Sequence, residues 1–351
     1  MVRFLGVLSL AVLIYYCLHV SFTIKSDHTS VVVIGGCLVD FIAEPKDEMV
    51  LHTSNPGTVA QSWGGVARNI ANAVAIHKGD KNSVLFISVL GNDLIADSFY
   101  TKHREIFDTS GVQKLSGNTG MYIALSNSNV DHDLFVAIAQ TDILSELTPA
   151  YLSQYKERMQ SAKIVAVDGN LSEDTLFSIG QLCEEGGVPL WFEPTSLAKS
   201  TKILKSGVSP SSITFVSPNI YELFEMSSWV QTNIIPVEIS SYKNLITAPF
   251  EKEKEASLYL LVAGIRYIVV TMGENGVLLG EKKNEQITFT HFPAIQVERI
   301  TQVNGAGDAL AGCAISTLST LGSSSLAVMQ AINDGIYCAS LQVQGKKINS
   351  T

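Results

Sequence analysis

Residues 31–40 read VVVIGGCLVD, with four consecutive apolar residues directly before two glycines. An apolar run without polar alternation is typical of a short strand buried on both faces of a sheet. Later stretches have the same character, and helical stretches separate them. The predicted strands lie at 31–34, 85–89, 164–168, 190–192, 215–217 and 267–271, and the predicted helices at 67–77, 149–160, 173–185 and 250–263. This alternation predicts an α/β fold with a mostly parallel central sheet.

Two segments, 38–60 and 119–138, interrupt the alternation of strands and helices. In the second segment, the strand-forming stretches MYIALSN and DLFVAIA lie on either side of a polar stretch. Two such stretches with a polar connection are typical of a β-hairpin. We therefore expect a small β lid, separate from the parallel sheet, built from these two segments.

The composition excludes several classes of protein. Hydrophobic residues make up 46% of the 351 residues and charged residues 16%, which excludes a disordered chain because a large core can offset the ordering entropy. The chain carries 24 basic and 33 acidic residues, a net charge of −9, and no predicted helix bears a block of basic residues. A partner among double-stranded nucleic acids is therefore excluded, whereas a small-molecule partner is not.

The first residues form a hydrophobic leader. Residues 4–24 contain no charged side chain, and as a helix they would be about 31 Å long, enough to cross a bilayer core. No clean cleavage site follows. A signal anchor that associates with a membrane is one interpretation, and a leader that is not native to the enzyme is the other. We therefore treat residues 1–29 apart from the folded domain, which we expect at 30–345, with 346–351 as a tail.

Five cysteines stand at positions 17, 37, 183, 313 and 338. Their number is odd, their positions are scattered, and no CxxC pair occurs. This pattern predicts buried reduced thiols in a reducing compartment, rather than a disulfide framework or a zinc site.

Residues 304–308 read NGAGD and precede a long apolar stretch. The small residues favour a tight turn, and the first backbone N–H groups of the following helix have no helical partner, so they can hold an anion. A carboxylate at Asp308 would repel a bound phosphate. It can, however, take a proton from a hydroxyl that attacks a phosphoryl group. The alternative role for Asp308 is an acidic helix cap.

A second glycine pair, Gly64 and Gly65, opens another predicted helix in the stretch WGGVARN. Glycines let the backbone approach a ligand closely, and Asn69 follows in the first turns of the helix. Asp40 follows the first strand at its carboxyl end, where open α/β sheets bind ligands. A carboxylate and an amide together suit two neighbouring hydroxyl groups of a sugar.

Other phosphate-binding and hydrolytic motifs are absent from the sequence. It contains no G-x-x-x-x-G-K-[ST], no G-x-S-x-G and no H-E-x-x-H. The first strand ends in GGCLVD, not in G-x-G-x-x-G. These absences argue against a P-loop protein, a nicotinamide or flavin Rossmann enzyme and the common hydrolases.

Five motifs, GGCLVD, GGVARN, SPNIYE, VTMGENG and NGAGD, occur in this order along the chain. Together they resemble the ribokinase family, also called the PfkB family of carbohydrate kinases, from residue 31 to about residue 345. The stretches AIAQTDILSELTP and VDGNLSEDTL resemble one branch of it, the pseudouridine kinases. The resemblance implies a three-layer α/β sandwich with a mostly parallel central sheet and a small β lid.

The resemblance also implies a role for each matching residue. Asp308 matches the catalytic base that deprotonates a 5′-hydroxyl, beside an anion hole made by the amides of Gly305, Ala306 and Gly307. The implied substrate-binding residues are Asp40, Gly64, Gly65, Asn69, Thr119 and Asp142, the implied ATP-binding residues are Asn219, Thr271, Gly273, Gly276 and Asn333, and the implied Mg²⁺ residue is Glu222.

The implied activity is phosphorylation of the 5′-hydroxyl of a nucleoside by ATP and Mg²⁺, with pseudouridine as the expected substrate. The alternatives are a kinase for ribose or adenosine, and a decayed, membrane-tethered nucleoside-binding protein. Gln302 and Asn304 stand where the family has Asp and Thr, which leaves a requirement for K⁺ open. The resemblance also allows a homodimer formed through the lid, and its ATP chemistry implies a catalytic domain that faces the cytosol, whether or not residues 4–24 anchor it.

Overall fold

The computed structural model describes residues 29–126, 134–234 and 238–348. The strands are β1 (Val31–Ile34), β2 (Leu38–Pro45), β3 (Gly57–Gly64), β4 (Val84–Gly91), β5 (Asp108–Leu115), β6 (Met121–Ser126), β7 (Leu134–Gln140), β8 (Ile164–Asp168), β9 (Leu190–Glu193), β10 (Phe215–Val216), β11 (Tyr267–Thr271), β12 (Val277–Lys283) and β13 (Gln286–Phe292). The helices are α1 (Val66–Lys78), α2 (Leu94–His103), α3 (Pro149–Leu152), α4 (Lys156–Ser161), α5 (Glu173–Gly186), α6 (Lys202–Lys205), α7 (Ile220–Asn233), α8 (Glu251–Ala263), α9 (Ala306–Leu321) and α10 (Ser325–Val343).

A large sheet lies at the centre, with the strand order β13-β12-β11-β10-β9-β8-β1-β4-β5. The strands from β11 to β5 are parallel to their neighbours, and β12 and β13 add an antiparallel hairpin at one edge. The predicted mostly parallel sheet is therefore confirmed. Strand β1 is an interior strand, between β8 and β4, so the Gly35–Gly36 turn at its carboxyl end lies among the ends of neighbouring strands.

Helices cover both faces of this sheet. Val32 and Ile34 of β1 pack on one face in a core shared with α5, α7 and α8. Val31 and Val33 point to the other face, where the core includes α1, α9 and α10. Because both faces are buried, the strands are apolar throughout, which is why they appear in the sequence as uninterrupted apolar runs. The three-layer sandwich is confirmed.

Most predicted helices form within one or two residues of their expected ends, but the helix expected over 149–160 is broken. A 3₁₀ turn, Ser153–Tyr155, separates α3 from α4. The Ser153 hydroxyl donates to the carbonyl of Ala150 at 2.7 Å, and the Gln154 amide donates to the carbonyl of Tyr151 at 3.0 Å. Such side-chain bonds to nearby carbonyls compete with regular helical bonds.

The small sheet has the strand order β3-β2-β6-β7 and forms the expected lid. Strand β6 pairs antiparallel with β7, so the predicted hairpin is confirmed, although its connecting residues 127–133 lie outside the described residues. Strand β2 follows β1 after three residues, and β3 ends at Gly64, directly before α1. The lid therefore joins the large sheet through both glycine pairs noted in the sequence.

The expectation that the cysteines are all reduced is wrong for one pair. Cys313 of α9 and Cys338 of α10 form a disulfide, with their Cα atoms 6.5 Å apart. The two helices are consecutive and joined by a short turn, so cysteines 25 positions apart in sequence meet where the helices pack. Cys37 and Cys183 are buried free thiols, as expected.

The hydrophobic stretch 4–24 lies outside the described residues. Within the described ranges, none of the helices combines the length and apolar character that crossing a membrane requires.

Candidate active site

The turn that contains Gly305 opens α9 as the sequence predicts. Gly305 is the residue before the helix and has φ 78°, a left-handed conformation that favours glycine. The amide of Ala306 donates to the carbonyl of Val303 at 3.3 Å. The amides of Gly305 and Gly307 have no protein acceptor among the described residues. They are therefore the donors that this turn can offer to an anion at the positive end of the helix.

Asp308 lies in the first turn of α9 and is joined to a second helix. The Asn69 side chain, from α1, donates to Oδ2 of Asp308 at 2.6 Å. Burial raises the pKa of Asp308 to about 6, while the bond from Asn69 and the nearby Arg68 charge oppose that rise. A carboxylate with a pKa near neutrality is well matched to general-base chemistry. The structure therefore brings together Asp308 and Asn69, two residues that the sequence analysis assigned separate roles in the site.

Arg68 is a residue of this site that the sequence reasoning missed. Its side chain is buried, and it donates to the carbonyls of Trp63 and Gly64 at the end of β3. Burial lowers the pKa of Arg68, and the charges of Asp308 and Asp40 raise it again. Arg68 is the only charged residue between Trp63 and Ile76, and this isolation in an apolar stretch was the available signal. It supplies the positive charge that offsets two carboxylates.

Asp40 lies over the second glycine pair. A side chain at Gly64 would collide with the Asp40 carboxyl group, and one at Gly65, where φ is 94°, would collide with the carbonyl of Gly36. Burial raises the pKa of Asp40, and Arg68 opposes that rise. The glycines are thus required for the lid strand to approach the start of α1. Contact of Asp40 with sugar hydroxyls stays a prediction.

Asp168, at the end of β8, forms hydrogen bonds with the backbone of the same region. Its Oδ2 accepts from the backbone N–H groups of Gly36 at 2.9 Å and Ala67 at 3.0 Å. It thereby joins the turn after β1 to the start of the helix that carries Asn69. The sequence reasoning missed it, although a polar residue that ends an otherwise apolar strand was a usable signal.

A second missed carboxyl group ends the neighbouring strand. Glu193 is buried beside Ser217, whose hydroxyl donates to it and accepts from the Trp191 indole at 2.7 Å. Burial raises the pKa of Glu193 well above its usual range, and the charges of Asp308 and Glu222 add to the effect. Burial and the neighbouring negative charges therefore both disfavour the ionised form of Glu193.

The predicted N-x-x-E pair forms a capping box at the start of α7. The Asn219 side chain accepts from the backbone N–H of Glu222 at 3.0 Å, and the Glu222 carboxylate accepts from the backbone N–H of Asn219 at 2.9 Å. Burial raises the pKa of Glu222, while the bond from the backbone N–H of Asn219 opposes that rise. Carboxylate oxygens are ligands that Mg²⁺ prefers. The Glu222 carboxylate accepts one backbone N–H and has further lone pairs that could bind the ion.

A cavity of about 400 Å³ lies between the β11–β12 turn and the helices α9 and α10. Thr271, Gly273 and Gly276 line it together with Ala306 and Gly307, so three of the five predicted ATP-binding residues share one space with the anion hole. Asn219 does not line this cavity. Much of the remaining wall is apolar and was not predicted, because its members are far apart in sequence; it includes Ile295, Val297, Ile300, Val303, Leu310, Ile336 and Val343.

Other predicted residues are not brought into this cavity. Asn333 is exposed on α10, and its amide donates to the carbonyl of Met329 at 3.0 Å. Thr119 is fully buried, and its hydroxyl donates to Asp93 at 2.8 Å, which ties the lid to the start of α2. Asp142 is exposed in a 3₁₀ turn after β7. Their contacts with ligands stay predictions.

The segment before the anion hole is tied to the end of α10. The backbone N–H of Gln302 donates to the carbonyl of Val343 at 3.3 Å, and the Gln342 side chain donates to the carbonyl of Asn304 at 3.2 Å. Neither Gln302 nor Asn304 brings a negative charge to this segment, and the dependence on a monovalent cation stays open.

Comparison with known proteins shows the family to which the chain belongs. Residues 28–350 match the pfkB family carbohydrate kinase model. The chain is 26% identical to the pseudouridine kinase of Arabidopsis thaliana, over 89% of this chain and 90% of that protein, and 26% identical to the pseudouridine kinase of Escherichia coli, over 80% of each. The structure of Arabidopsis thaliana ribokinase complexed with ribose and ATP superposes with a TM-score of 0.69 at 18% identity, over 90% of this chain and 93% of that one. The chain belongs to the PfkB family of carbohydrate kinases and is a sugar or nucleoside kinase of that family.

Proposed function

We propose that this protein transfers the γ-phosphoryl group of ATP to the 5′-hydroxyl of a nucleoside, with pseudouridine as the preferred substrate. One observation carries the chemistry: Asp308 has a pKa of about 6, accepts from Asn69, and lies beside the unused amides that open α9. The similarity to two pseudouridine kinases over most of the chain supports the substrate. A decayed, purely binding protein would not require a base in this position.

In the proposed reaction, Asp308 accepts the proton of the 5′-hydroxyl as that oxygen bonds to the γ-phosphorus. The bond from the γ-phosphorus to the bridging oxygen breaks, and ADP leaves with that electron pair. The amides of Gly305 and Gly307 donate to the oxygens on which negative charge accumulates. Asn69 holds the carboxylate of Asp308 in place, so the proton acceptor is already oriented.

Mg²⁺ bound to the ATP phosphates would neutralise their charge. Glu222 is the residue that would hold this ion, directly or through water, because its carboxylate is fixed by the capping box. The apolar wall near Ile336 and Val343 suits the faces of the adenine ring of ATP, which can pack against apolar side chains.

The test of the proposed function is a set of steady-state measurements on the purified full chain. ADP release is followed with ATP and Mg²⁺ and one acceptor at a time: pseudouridine, uridine, adenosine, ribose or fructose. The proposal predicts the highest kcat/KM for pseudouridine. Equal values for pseudouridine and uridine would refute the preferred substrate, and turnover only with ribose would refute a nucleoside kinase while leaving the family assignment intact.

The expected homodimer through the lid is part of this proposal. The lid carries exposed apolar side chains at Val59, Ile123, Phe135 and Ile138. Ile123 and Ile138 are directly paired across β6 and β7, so they lie on the same face of the lid. Light scattering after size-exclusion chromatography should give twice the chain mass, and Ile138→Lys should reduce it to one chain mass. A wild-type monomer would refute the dimer.

The proposed compartment for the catalytic domain is the cytosol, where ATP and Mg²⁺ are supplied. Asn170 lies in an N-x-S sequon, yet its side-chain amide donates to Asp168 at 2.9 Å within the fold, so a glycan there is incompatible with this geometry. The Cys313–Cys338 disulfide opposes this placement, because such bonds persist mainly in oxidising compartments. A glycosidase-sensitive mass shift of the full chain from cells would refute the cytosolic placement.

A further inference from the structure

Three buried side chains that can bind a metal ion lie together in the helical layer on one face of the large sheet. They are His77 near the end of α1, Cys313 of α9 and Cys338 of α10. One ligand atom of each residue, a ring nitrogen or a sulfur, lies within 4.8 Å of those of the other two. His77 is 5% exposed and the cysteines at most 1%, so the cluster belongs to the protein interior.

Two glycines let the three helices approach one another beside this cluster. A side chain at Gly312 of α9 would lie 2.5 Å from Cβ of Ala73 and 2.9 Å from the carbonyl oxygen of Ile70, both on α1. A side chain at Gly335 of α10 would lie 2.7 Å from the carbonyl oxygen of Leu310 on α9. Each glycine precedes a cysteine of the cluster by no more than three positions. Close helix packing at the glycines therefore brings the three ligands together.

Hydrogen bonds on the same helix faces orient the cluster. Nδ1 of His77 lies 3.0 Å from the Ser316 hydroxyl, which is three residues after the first cysteine and so on the same face of α9. One helical turn from the two cysteines, the Thr317 hydroxyl donates to Oδ2 of Asp334 at 2.6 Å and joins α9 to α10. Histidines that bind metals usually use one ring nitrogen in such a bond, which fixes the ring. Ser316 is therefore a positioning residue for His77.

The ligand set and its spacing suit zinc. Zinc lies about 2.3 Å from sulfur and about 2.0 Å from nitrogen, so a tetrahedral site places these ligands about 3.5–3.8 Å apart, within the span of this cluster. Two thiolates cancel the charge of Zn²⁺, which lowers the free-energy cost of burying the ion. Mg²⁺ and Ca²⁺ prefer oxygen ligands. Among the described residues no fourth Cys, His, Asp or Glu joins the cluster, which leaves one position for a small ligand such as water.

We propose that His77, Cys313 and Cys338 bind Zn²⁺ when the cysteines are reduced, and that the disulfide is the oxidised, metal-free state of the same site. The conversion needs a dithiol reductant. One thiolate of the reductant bonds to a cysteine sulfur, and the other cysteine sulfur leaves as a thiolate. The second thiolate of the reductant then displaces the first cysteine sulfur. The reductant becomes a disulfide, the two cysteines gain two electrons, Zn²⁺ binds both thiolates, and the two protons of the reductant pass to the solvent.

This site would join the helices that carry the proposed phosphoryl-transfer groups. Asn69 lies on α1 and Asp308 on α9, whereas α10 lines the nucleotide cavity. The disulfide links only α9 and α10, and a zinc ion bound also to His77 would link all three helices. In a reducing compartment the cysteine pair would be thiols, the form that can bind the metal. Spacing along the chain gave no indication of the site because its ligands come from three separate helices.

The test is metal binding by the purified full chain, which does not depend on turnover. The folded chain is reduced with a dithiol, the dithiol and any metal are removed, and Zn²⁺ or Co²⁺ is added. The reduced wild type should bind one ion per chain, show a thiolate-to-cobalt absorption band, and have a higher Tm in Zn²⁺. The oxidised chain should bind neither ion at this site.

Substitutions assign the ligands. Cys338→Ser and His77→Gln should each weaken Zn²⁺ binding by more than about 100-fold, because loss of a residue that only supports a ligand already costs about 10–100-fold. Ser316→Ala should weaken it by about 10–100-fold. The matched control is Cys183→Ser, at a buried free thiol outside the cluster, which should bind Zn²⁺ like the wild type.

Several results would overturn the inference. It is refuted if the reduced wild type binds no stoichiometric Zn²⁺, if bound Co²⁺ shows no thiolate band, or if the control variant loses as much affinity as the ligand variants. A disulfide that the dithiol cannot reduce in the folded chain, detected by alkylation and mass spectrometry, would also refute it. The cobalt spectrum of the wild type reports the ligands even if a variant fails to fold. Because kinase activity is not measured, failure of the zinc site leaves the proposed function unaffected.

Discussion

Replacement of Asp308 by Asn should separate catalysis from stability, because the same burial that makes Asp308 a good base also destabilises its charged form. The rise of its pKa from 3.8 to about 6 corresponds to roughly 3 kcal/mol of unfavourable free energy for the ionised group at neutral pH, taken as an upper limit. The amide introduced by Asp308→Asn carries no charge and keeps an oxygen that can accept from Asn69. We expect kcat to fall by about 10²–10⁴-fold, the usual contribution of a general base, while the Tm at pH 7.5 rises.

The pH dependence of the Tm difference between Asp308→Asn and the wild type tests whether ionised Asp308 destabilises the fold. The folded protein binds the Asp308 proton more tightly than the unfolded chain, so the unfavourable contribution is complete above pH 6 and fades as the pH falls towards 3.8. The Tm advantage of Asp308→Asn should therefore be largest near pH 7.5 and small near pH 4. The matched control is Asp174→Asn, an exposed acid in the first turn of α5, which should leave kcat unchanged. Near-normal turnover of Asp308→Asn, or a lower Tm at pH 7.5, would show that Asp308 is only a helix cap.

Substitutions at three further residues test the surrounding groups. Glu222→Gln keeps an acceptor for the capping box but loses the charge, so half-maximal activity should require about 10–100-fold more Mg²⁺; an unchanged Mg²⁺ titration would remove Glu222 from the metal site. Arg68→Met should move the acidic limb of the kcat/KM profile to higher pH, because Arg68 lowers the pKa of Asp308, whereas Arg68→Lys should restore the limb; identical profiles would contradict the electrostatic role. Gly305→Ala should destabilise the fold by about 1–2 kcal/mol and lower kcat by up to about 100-fold, because it forces a side chain into a left-handed conformation at the anion hole; wild-type kcat would show that the amides there are not used.

The sequence predicted the large sheet well because its strands are buried on both faces. Strands that pack on both sides have no polar alternation, so 31–34, 164–168 and 267–271 could be located to the residue. The break at Ser153–Tyr155 was not predictable from periodicity, since it depends on which side chains bond to nearby carbonyls. The Cys313–Cys338 bond was missed because spacing does not show that two helices turn back on each other.

Candidate site residues could be selected from the sequence where residue types of suitable chemistry lie in one continuous motif. Asp308 and Asn69 belong to two short motifs, and the structure places their side chains 2.6 Å apart, a contact that was not itself predicted. Arg68, Asp168 and Glu193 were missed because their importance comes from burial next to other charges, and burial beside a charge from a distant segment is not visible in a linear pattern.

The most direct test of the central claim is the fate of the phosphoryl group. The full chain is incubated with ATP, Mg²⁺ and pseudouridine, and the products are followed by phosphorus NMR with correlation to protons. The account predicts a phosphomonoester whose phosphorus couples to the two protons on C5′ of the ribose, formed in step with ADP and absent with Asp308→Asn. A phosphorus signal that couples to another ribose position, or ADP that accumulates with free phosphate and no phosphomonoester, would contradict it.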